Sequence, residues 1–327
     1  MSVEGDDGPC PVNGWSQNGL LHSALLYHDT EEFLAAAVSF LRIGLTRGEA
    51  VMAVLPGPRL DLLRTALGPM ANAVRLLDMT EVGRNPGRIL PWVLQPFVTE
   101  HPARRIRVIG EPIWPDRSPL EYPACVQHEA LVNLALAGRR ITVLCPYDVS
   151  RLSPQALTDA MRTHPVLAVN GGWKPSDQYT SPERLLPIGN QPFAAPPATA
   201  TPLVFDADRL PLVRQLVADR AHAAGFSPQR VAELQMAVNE VATNSIVHGP
   251  GHGSLLVWQE ETHLVCQVSD EGHITDPLAG RILPPPHSGG GRGLALVHYL
   301  CDLVRIHSEP SGTTIRMYMQ LPVGVSA

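Results

Sequence analysis

Between Leu20 and Leu167, five short β-rich runs alternate with five longer amphipathic stretches, and this order limits the fold more than any other feature of the 327-residue chain. Ala24–Tyr27, Ala50–Leu55, Val74–Asp78, Arg105–Ile109 and Arg140–Cys145 read as strands. Glu31–Thr46, Arg59–Leu67, Gly87–Glu100, Glu121–Ala137 and Pro154–Thr163 read as helices; in the first, Phe33, Val38, Leu41 and Leu45 follow a helical spacing and Thr30 offers an N-cap. Strands separated by helices must be joined by crossovers. The expected fold of residues 20–170 is therefore an α/β doubly wound domain, a parallel sheet with helices on both faces.

From Gly171 to Pro202 that alternation dissolves into Pro175, Pro182, Pro187, Pro192, Pro196, Pro197 and Pro202, with Ala and Thr between them. Proline removes backbone donors and stiffens the chain, so residues 171–205 read as a linker. Beyond it the order changes to α+β: helices over Asp208–Ala224 and from Pro228 to about His248, the second opened by Ser227 as N-cap and Pro228 at N1. Ser254–Gln259 and His263–Ser269 alternate around a turn at Glu260–Thr262, and Leu303–Ser308 with Thr313–Leu321 form a later pair. Residues 206–323 should thus form a second domain, a four-stranded mixed sheet covered on one face by helices.

Hydrophobic residues make up 44% and charged residues 17%, enough apolar material for two packed cores and too much for a disordered chain. The formal charge is −6 with Lys and Arg scattered singly, which gives no electrostatic footprint for nucleic acid or an anionic membrane. Five cysteines, widely separated and without a C-x-x-C pair, disfavour a disulfide framework and a zinc site; they read as reduced core residues of a cytoplasmic protein. Residues 1–19 open with acidic residues, Gly and Pro instead of a signal peptide and read as a disordered tail. No apolar run approaches the ~20 residues of a membrane span.

On the helix beginning at Pro228, Val231, Leu234, Val238 and Val241 form an apolar stripe, while Glu240, Asn244 and His248 recur at four-residue steps on another face. A carboxylate and an amide one turn apart can hold a divalent ion and a polarised hydroxyl against a phosphate. The spacing means little alone, since Glu129 and Asn133 repeat it. Here, however, Val268-Ser269-Asp270-Glu271-Gly272 follows, placing a carboxylate at a strand end where it can accept the exocyclic amine of adenine. Ser288-Gly289-Gly290-Gly291-Arg292-Gly293-Leu294 then precedes a helix, the arrangement in which glycines and a helix N-terminus approach phosphate oxygens.

This ordered set, closed by Gly312-Thr313-Thr314, resembles the Bergerat or GHKL ATP-binding family, which includes gyrase, histidine kinases and anti-sigma kinases. The resemblance implies that Asn244 ligates Mg2+, that Asp270 binds adenine with Gly272 permitting its approach, and that Gly289, Gly291, Arg292 and Gly293 cradle phosphates beside His248. Thr313 would support the adenine-side network. Asn244-Ser245-Ile246-Val247-His248-Gly249 looks most like the anti-sigma-factor serine kinases of the RsbW and SpoIIAB type, in which the residue at the position of Glu240 is the catalytic base. That resemblance implies an ATP- and Mg2+-dependent protein serine kinase acting on an anti-anti-sigma (STAS) partner, with a sigma factor as a second candidate partner and a homodimer compatible with the sequence. The rival readings are a sensor histidine kinase, prompted by Gln127-His128-Glu129-Ala130-Leu131, and a non-catalytic ATP-binding adaptor. His128 is followed by one helix and a strand, not by the helical hairpin of a phosphoacceptor domain.

In doubly wound sheets ligands bind beyond the carboxyl ends of the strands, which places His28-Asp29, Pro56-Gly57, Asp78-Met79, Gly110-Glu111 and Cys145-Pro146-Tyr147-Asp148 on one rim. The pattern His28-Asp29, Gly48-Glu49, Glu129-Ala130, Cys145-Pro146-Tyr147-Asp148 and His164-Pro165 resembles the MEDS sensory domain. That resemblance implies a small-molecule signal, with His28, Asp29, Glu111, Glu129, Tyr147 and Asp148 as its candidate contacts.

Overall fold

The computed structural model describes residues 19–169, 172–285 and 291–322; most of the expected N-terminal tail, Cys10 and Gly289 lie outside the described residues. Contacts divide the chain into two compact units, the first running to Gly83 and resuming over Phe97–Leu185, the second comprising Arg84–Pro96 and the chain from Leu186 onward.

The first unit is built on seven strands: β1 (Leu21–Tyr27), β2 (Ala50–Leu55), β3 (Arg75–Asp78), β4 (Ile106–Gly110), β5 (Ile141–Asp148), β6 (Val166–Val169) and β7 (Gly172–Pro175). Their order in the sheet is β3-β2-β4-β5-β1-β6-β7, every pairing parallel except the β6–β7 hairpin at the edge. Strands β2 and β5 are buried along their whole length, as a parallel sheet covered on both faces requires. The expected α/β architecture is present.

Helices α1 (Thr30–Thr46), α2 (Gly57–Leu67), α3 (Tyr122–Ala135) and α4 (Pro154–Thr163) make the crossovers. Asp29, not Thr30, caps α1: its extended backbone lets the carboxylate accept the Glu32 N–H at 2.8 Å, while Glu31 and Glu32 complement the helix dipole. The helix expected over Gly87–Glu100 is instead a 3-10 turn (Pro86–Arg88), a π-helical turn (Ile89–Leu94) and a short α-helical piece (Gln95–Glu100). Pro86, Pro91 and Pro96 withhold the N–H groups that one continuous ladder needs.

The second unit carries β8 (Thr201–Asp206), β9 (His252–Gln259), β10 (His263–Asp270), β11 (Leu303–Glu309) and β12 (Gly312–Gln320). They form a five-stranded sheet in the order β11-β12-β10-β9-β8, with every pairing antiparallel, which corrects the expectation of four strands in a mixed sheet. The fifth strand comes from the proline-rich stretch. An edge strand tolerates Pro202, and Phe205 anchors it, 1% exposed, over Gly253, where a Cβ would come within 2.7 Å of the Phe205 ring. The same stretch also contains β7 and α5 (Pro182–Gly189).

Helices α6 (Leu210–Ala223), α7 (Pro228–Val247) and α8 (Gly293–Leu300) supply the helical side of this unit. Ser227 caps α7 by accepting the Arg230 N–H at 3.3 Å. Val231, Leu234, Val238 and Val241 of α7 pack with Val213 and Val217 of α6 and with alternate residues of the sheet, including Leu255, Cys266, Val268, Ile315 and Met317, in one core. Burying this stripe leaves Glu240 and Asn244 on its flank, beside the end of β10 and the start of α8.

Candidate nucleotide-binding site

A cavity of about 770 Å³ opens beside α7, within the usual range for small-molecule sites. Asn244 and His248 line it from the helix, Asp270 and Thr313 from the paired ends of β10 and β12, and Gly291 and Gly293 from the start of α8. Glu240 lies one turn before Asn244. A Cβ on Gly293 would fall 2.8 Å from Glu240 Oε2 and 3.9 Å from Asn244 Oδ1, so glycine is what lets α8 begin against these two side chains. Arg292 is exposed at the N-cap of α8, and its guanidinium donates to the Pro285 carbonyl at 3.0 Å. His248 is the C-cap of α7, its N–H donating to Asn244 O at 2.8 Å.

Asp270 is held from two sides. Ser245 donates its hydroxyl to Oδ2 at 2.5 Å, and the Gly272 N–H donates to Oδ1 at 2.7 Å. A Cβ on Gly272 would sit 2.8 Å from Asp270 Oδ1 and 3.2 Å from the Gly249 Cα, so the turn after β10 closes only around glycine. Thr313 donates to the Gly272 carbonyl at 2.8 Å and lies 2.7 Å from the Ser308 hydroxyl, which accepts the Ile274 N–H at 2.8 Å. These bonds fix a carboxylate at the floor of a cleft whose opposite end is the glycine-lined start of a helix.

The six candidate signal contacts fall into three groups. His28 and Asp29 stay at the start of α1, where Asp29 caps the helix and His28 lies 3.2 Å from Glu32. Glu111 and Asp148 meet at the carboxyl ends of β4 and β5 through Arg59, which bonds Glu111 and reaches Asp148 Oδ2 at 2.9 Å. Burial raises the Glu111 carboxyl to about 8, against the opposing pull of Arg59. Glu129 and Tyr147 meet deeper in the unit, where the Tyr147 hydroxyl donates to Glu129 Oε1 at 3.0 Å. Burial opposes ionisation of Glu129, but His164 and His22 beside it hold its carboxyl well below the usual range.

Residues 21–165 match the family model of the MEDS domain, the methanogen/methylotroph, DcmR sensory domain, and residues 203–319 match that of the histidine kinase-like ATPase domain. The chain joins these two domains. Among solved structures it is similar to the RsbU and RsbW domains of Rv1364c from Mycobacterium tuberculosis, at 19% identity and a TM-score of 0.29 over 39% of this chain. The similarity spans 35% of that chain. No curated protein matches. No helix among the described residues is long and apolar enough to cross a membrane.

Within the ATPase domain, sequence reasoning left out Ser245 and Ser308, the hydroxyls that orient Asp270 and Thr313. The signal for Ser245 was its place directly after Asn244, one residue around the helix toward the sheet. Within the MEDS domain it left out Arg59, which joins the two rim carboxylates, and His22, a polar residue inside the apolar run of a central strand. A buried histidine in such a run requires partners, and that requirement was the available signal.

Proposed function

We propose that the chain is a signal-responsive anti-sigma regulatory factor whose ATPase domain binds ATP with Mg2+ and phosphorylates a serine of an anti-anti-sigma partner of the STAS class. The observation that carries this reading is the contact of Glu240 with the start of α8, where a carboxylate faces the helix N-terminus that would receive the phosphates. Asn244 offers an amide oxygen beside it, a donor set that suits Mg2+, and the missing Cβ of Gly293 leaves the approach open. Asp270, fixed by Ser245 and Gly272, is the acceptor suited to the adenine amine. Phosphoryl transfer depends mainly on positioning and charge neutralisation. In this reading Glu240 accepts the serine proton as the hydroxyl oxygen bonds to the γ-phosphorus, and ADP leaves with the bridging oxygen.

The MEDS domain would bias this activity on binding a small molecule at the strand rim, where Arg59, Glu111 and Asp148 gather. His128 argues against the histidine-kinase alternative, being 3% exposed inside α3 and therefore out of reach of a phosphoryl donor.

Incubation with labelled ATP, Mg2+ and candidate STAS proteins tests the proposal. Serine labelling that Glu240→Gln abolishes while nucleotide binding persists supports the kinase. Nucleotide binding without labelling of any partner favours the adaptor, and an acid-labile label on the chain itself favours the histidine kinase.

A further inference from the structure

Four side chains from four separate elements converge inside the MEDS domain: His22 on β1, Glu129 on α3, Cys145 on β5 and His164 directly after α4. Their donor atoms all lie within 4.8 Å of one another, and the residues are between 0% and 3% exposed. His22 Nε2 is 3.2 Å and His164 Nε2 3.5 Å from Glu129 Oε2; Cys145 Sγ is 3.4 Å from His22 Nε2 and 3.6 Å from Glu129 Oε2. Tetrahedral coordination, with bonds of about 2.0–2.1 Å to nitrogen and oxygen and about 2.3 Å to sulfur, separates neighbouring donors by roughly 3.3 Å, or roughly 3.6 Å where one is sulfur. The four separations follow that pattern.

The surrounding hydrogen bonds set the tautomers. Asn133 donates its amide to the Thr163 carbonyl at 2.8 Å, which turns its Oδ1 toward His22 Nδ1 at 3.1 Å and makes that nitrogen the donor. His164 Nδ1 lies 2.8 Å from the Ala160 carbonyl, which can only accept, so it also carries its proton there. Each neutral ring then has a lone pair on Nε2, and both lone pairs face a carboxylate oxygen. His164 Nε2 has no hydrogen-bond partner although it is fully buried. Tyr147 occupies Glu129 Oε1 and leaves Oε2 turned inward. Without a proton among them these lone pairs and the anionic oxygen repel one another, and a bound cation can take that proton's place. His22, His164 and Glu129 also have outer-shell partners, in Asn133, the Ala160 carbonyl and Tyr147, of the kind that metal ligands use.

We propose that His22 Nε2, His164 Nε2, Glu129 Oε2 and Cys145 Sγ bind one divalent transition-metal ion of the zinc(II) class. Binding releases the Cys145 thiol proton to solvent, so two positive charges meet one thiolate and one carboxylate, and the buried site is neutral overall. All four positions belong to the protein, which makes the site closed, not catalytic. It ties β1 to β5 immediately before Asp148 reaches Arg59. No C-x-x-C spacing announces it, because each donor comes from a different element.

Metal analysis of the freshly purified full chain, followed by chelation and titration with Co2+, tests the site on the wild-type protein itself. The expected result is one ion per chain, and on titration the strong visible bands of tetrahedral cobalt with a near-ultraviolet thiolate-to-cobalt band. Cys145→Ser should remove the thiolate band and Cys125→Ser should keep it. Asn133→Ala, which removes the support of His22 along with the bond to the Thr163 carbonyl and leaves all four donors in place, should weaken cobalt binding about 10- to 100-fold. A wild-type protein that contains no metal, keeps its fold by circular dichroism and takes up neither Co2+ nor Zn2+ overturns the proposal, leaving an imidazolium–carboxylate pair.

Discussion

Gln95 grips the main chain of Leu283 from both directions, its amide donating to the carbonyl at 2.8 Å and its side-chain oxygen accepting the N–H at 2.7 Å. Leu283 stands between Ile282 and Pro284, both lining the candidate nucleotide cavity. The segment holding Gln95 lies inside the MEDS match yet packs with the ATPase domain, where Trp92 also donates to the Ala295 carbonyl of α8 at 2.9 Å.

Gln95→Ala removes both bonds. A neutral hydrogen bond contributes about 0.5–1.5 kcal/mol, so with two lost the affinity for a non-hydrolysable ATP analogue should fall by roughly 5-fold and at most roughly 150-fold. Hydrogen exchange at the Ile282 and Leu283 amides should rise in parallel. Calorimetry and exchange mass spectrometry check the two effects; unchanged exchange would show that the grip does not order this wall.

Asp270→Asn keeps the shape of the side chain but replaces an acceptor carboxylate with an amide. Hydrogen bonds to charged groups contribute about 1.5–3 kcal/mol, so ATP binding should weaken roughly 10- to 100-fold with little change in melting temperature. Gly272→Ala should weaken binding as well, since its Cβ would press on Asp270 Oδ1 at 2.8 Å. Titration calorimetry on both variants gives the comparison.

Glu111 makes stability depend on pH. Its carboxyl rises from 4.5 to about 8 on folding, chiefly through burial. Between those values the native state holds a proton that the unfolded state has lost, so stability is full below the lower value and declines as pH rises to the upper one. The slope is at most about 1.4 kcal/mol per pH unit. Glu111→Gln lacks the titrating group and should show a flatter profile. Urea denaturation at several pH values from 5 to 9 measures the difference, and parallel profiles for the two proteins would rule the effect out.

Arg107 and Glu49 form an ion pair at 2.6 Å, with both side chains nearly inaccessible and the Arg107 guanidinium 4.6 Å from the centre of the Phe40 ring. Removing one partner of a buried pair costs about 3–5 kcal/mol, because a charge remains uncompensated. Glu49→Ala should therefore destabilise the MEDS domain by about that amount, whereas Arg107→Met combined with Glu49→Leu should recover most of it. Chemical denaturation of the single and double variants forms the test.

What the sequence settled alone was local and periodic. The alternation over residues 20–167 specified the parallel sheet, since crossovers leave few other arrangements, and the spacing of Val231, Leu234, Val238 and Val241 specified the buried stripe of α7 and hence the face carrying Glu240 and Asn244. Caps and glycine-rich turns act within a few residues, so Ser227 and the Asp270–Gly272 turn could be read directly.

Tertiary structure decided everything that depends on distant partners. Strand β8 exists because Phe205 finds the space over Gly253, a contact no local propensity encodes in a proline-rich run. Prolines broke the helix expected over Gly87–Glu100, and contacts with α8 and Leu283 then gave Arg84–Pro96 to the second unit. His22, Glu129, Cys145 and His164 carry no shared spacing; they meet because burial requires each polar group to find a partner, and only the folded sheet brings those partners within reach.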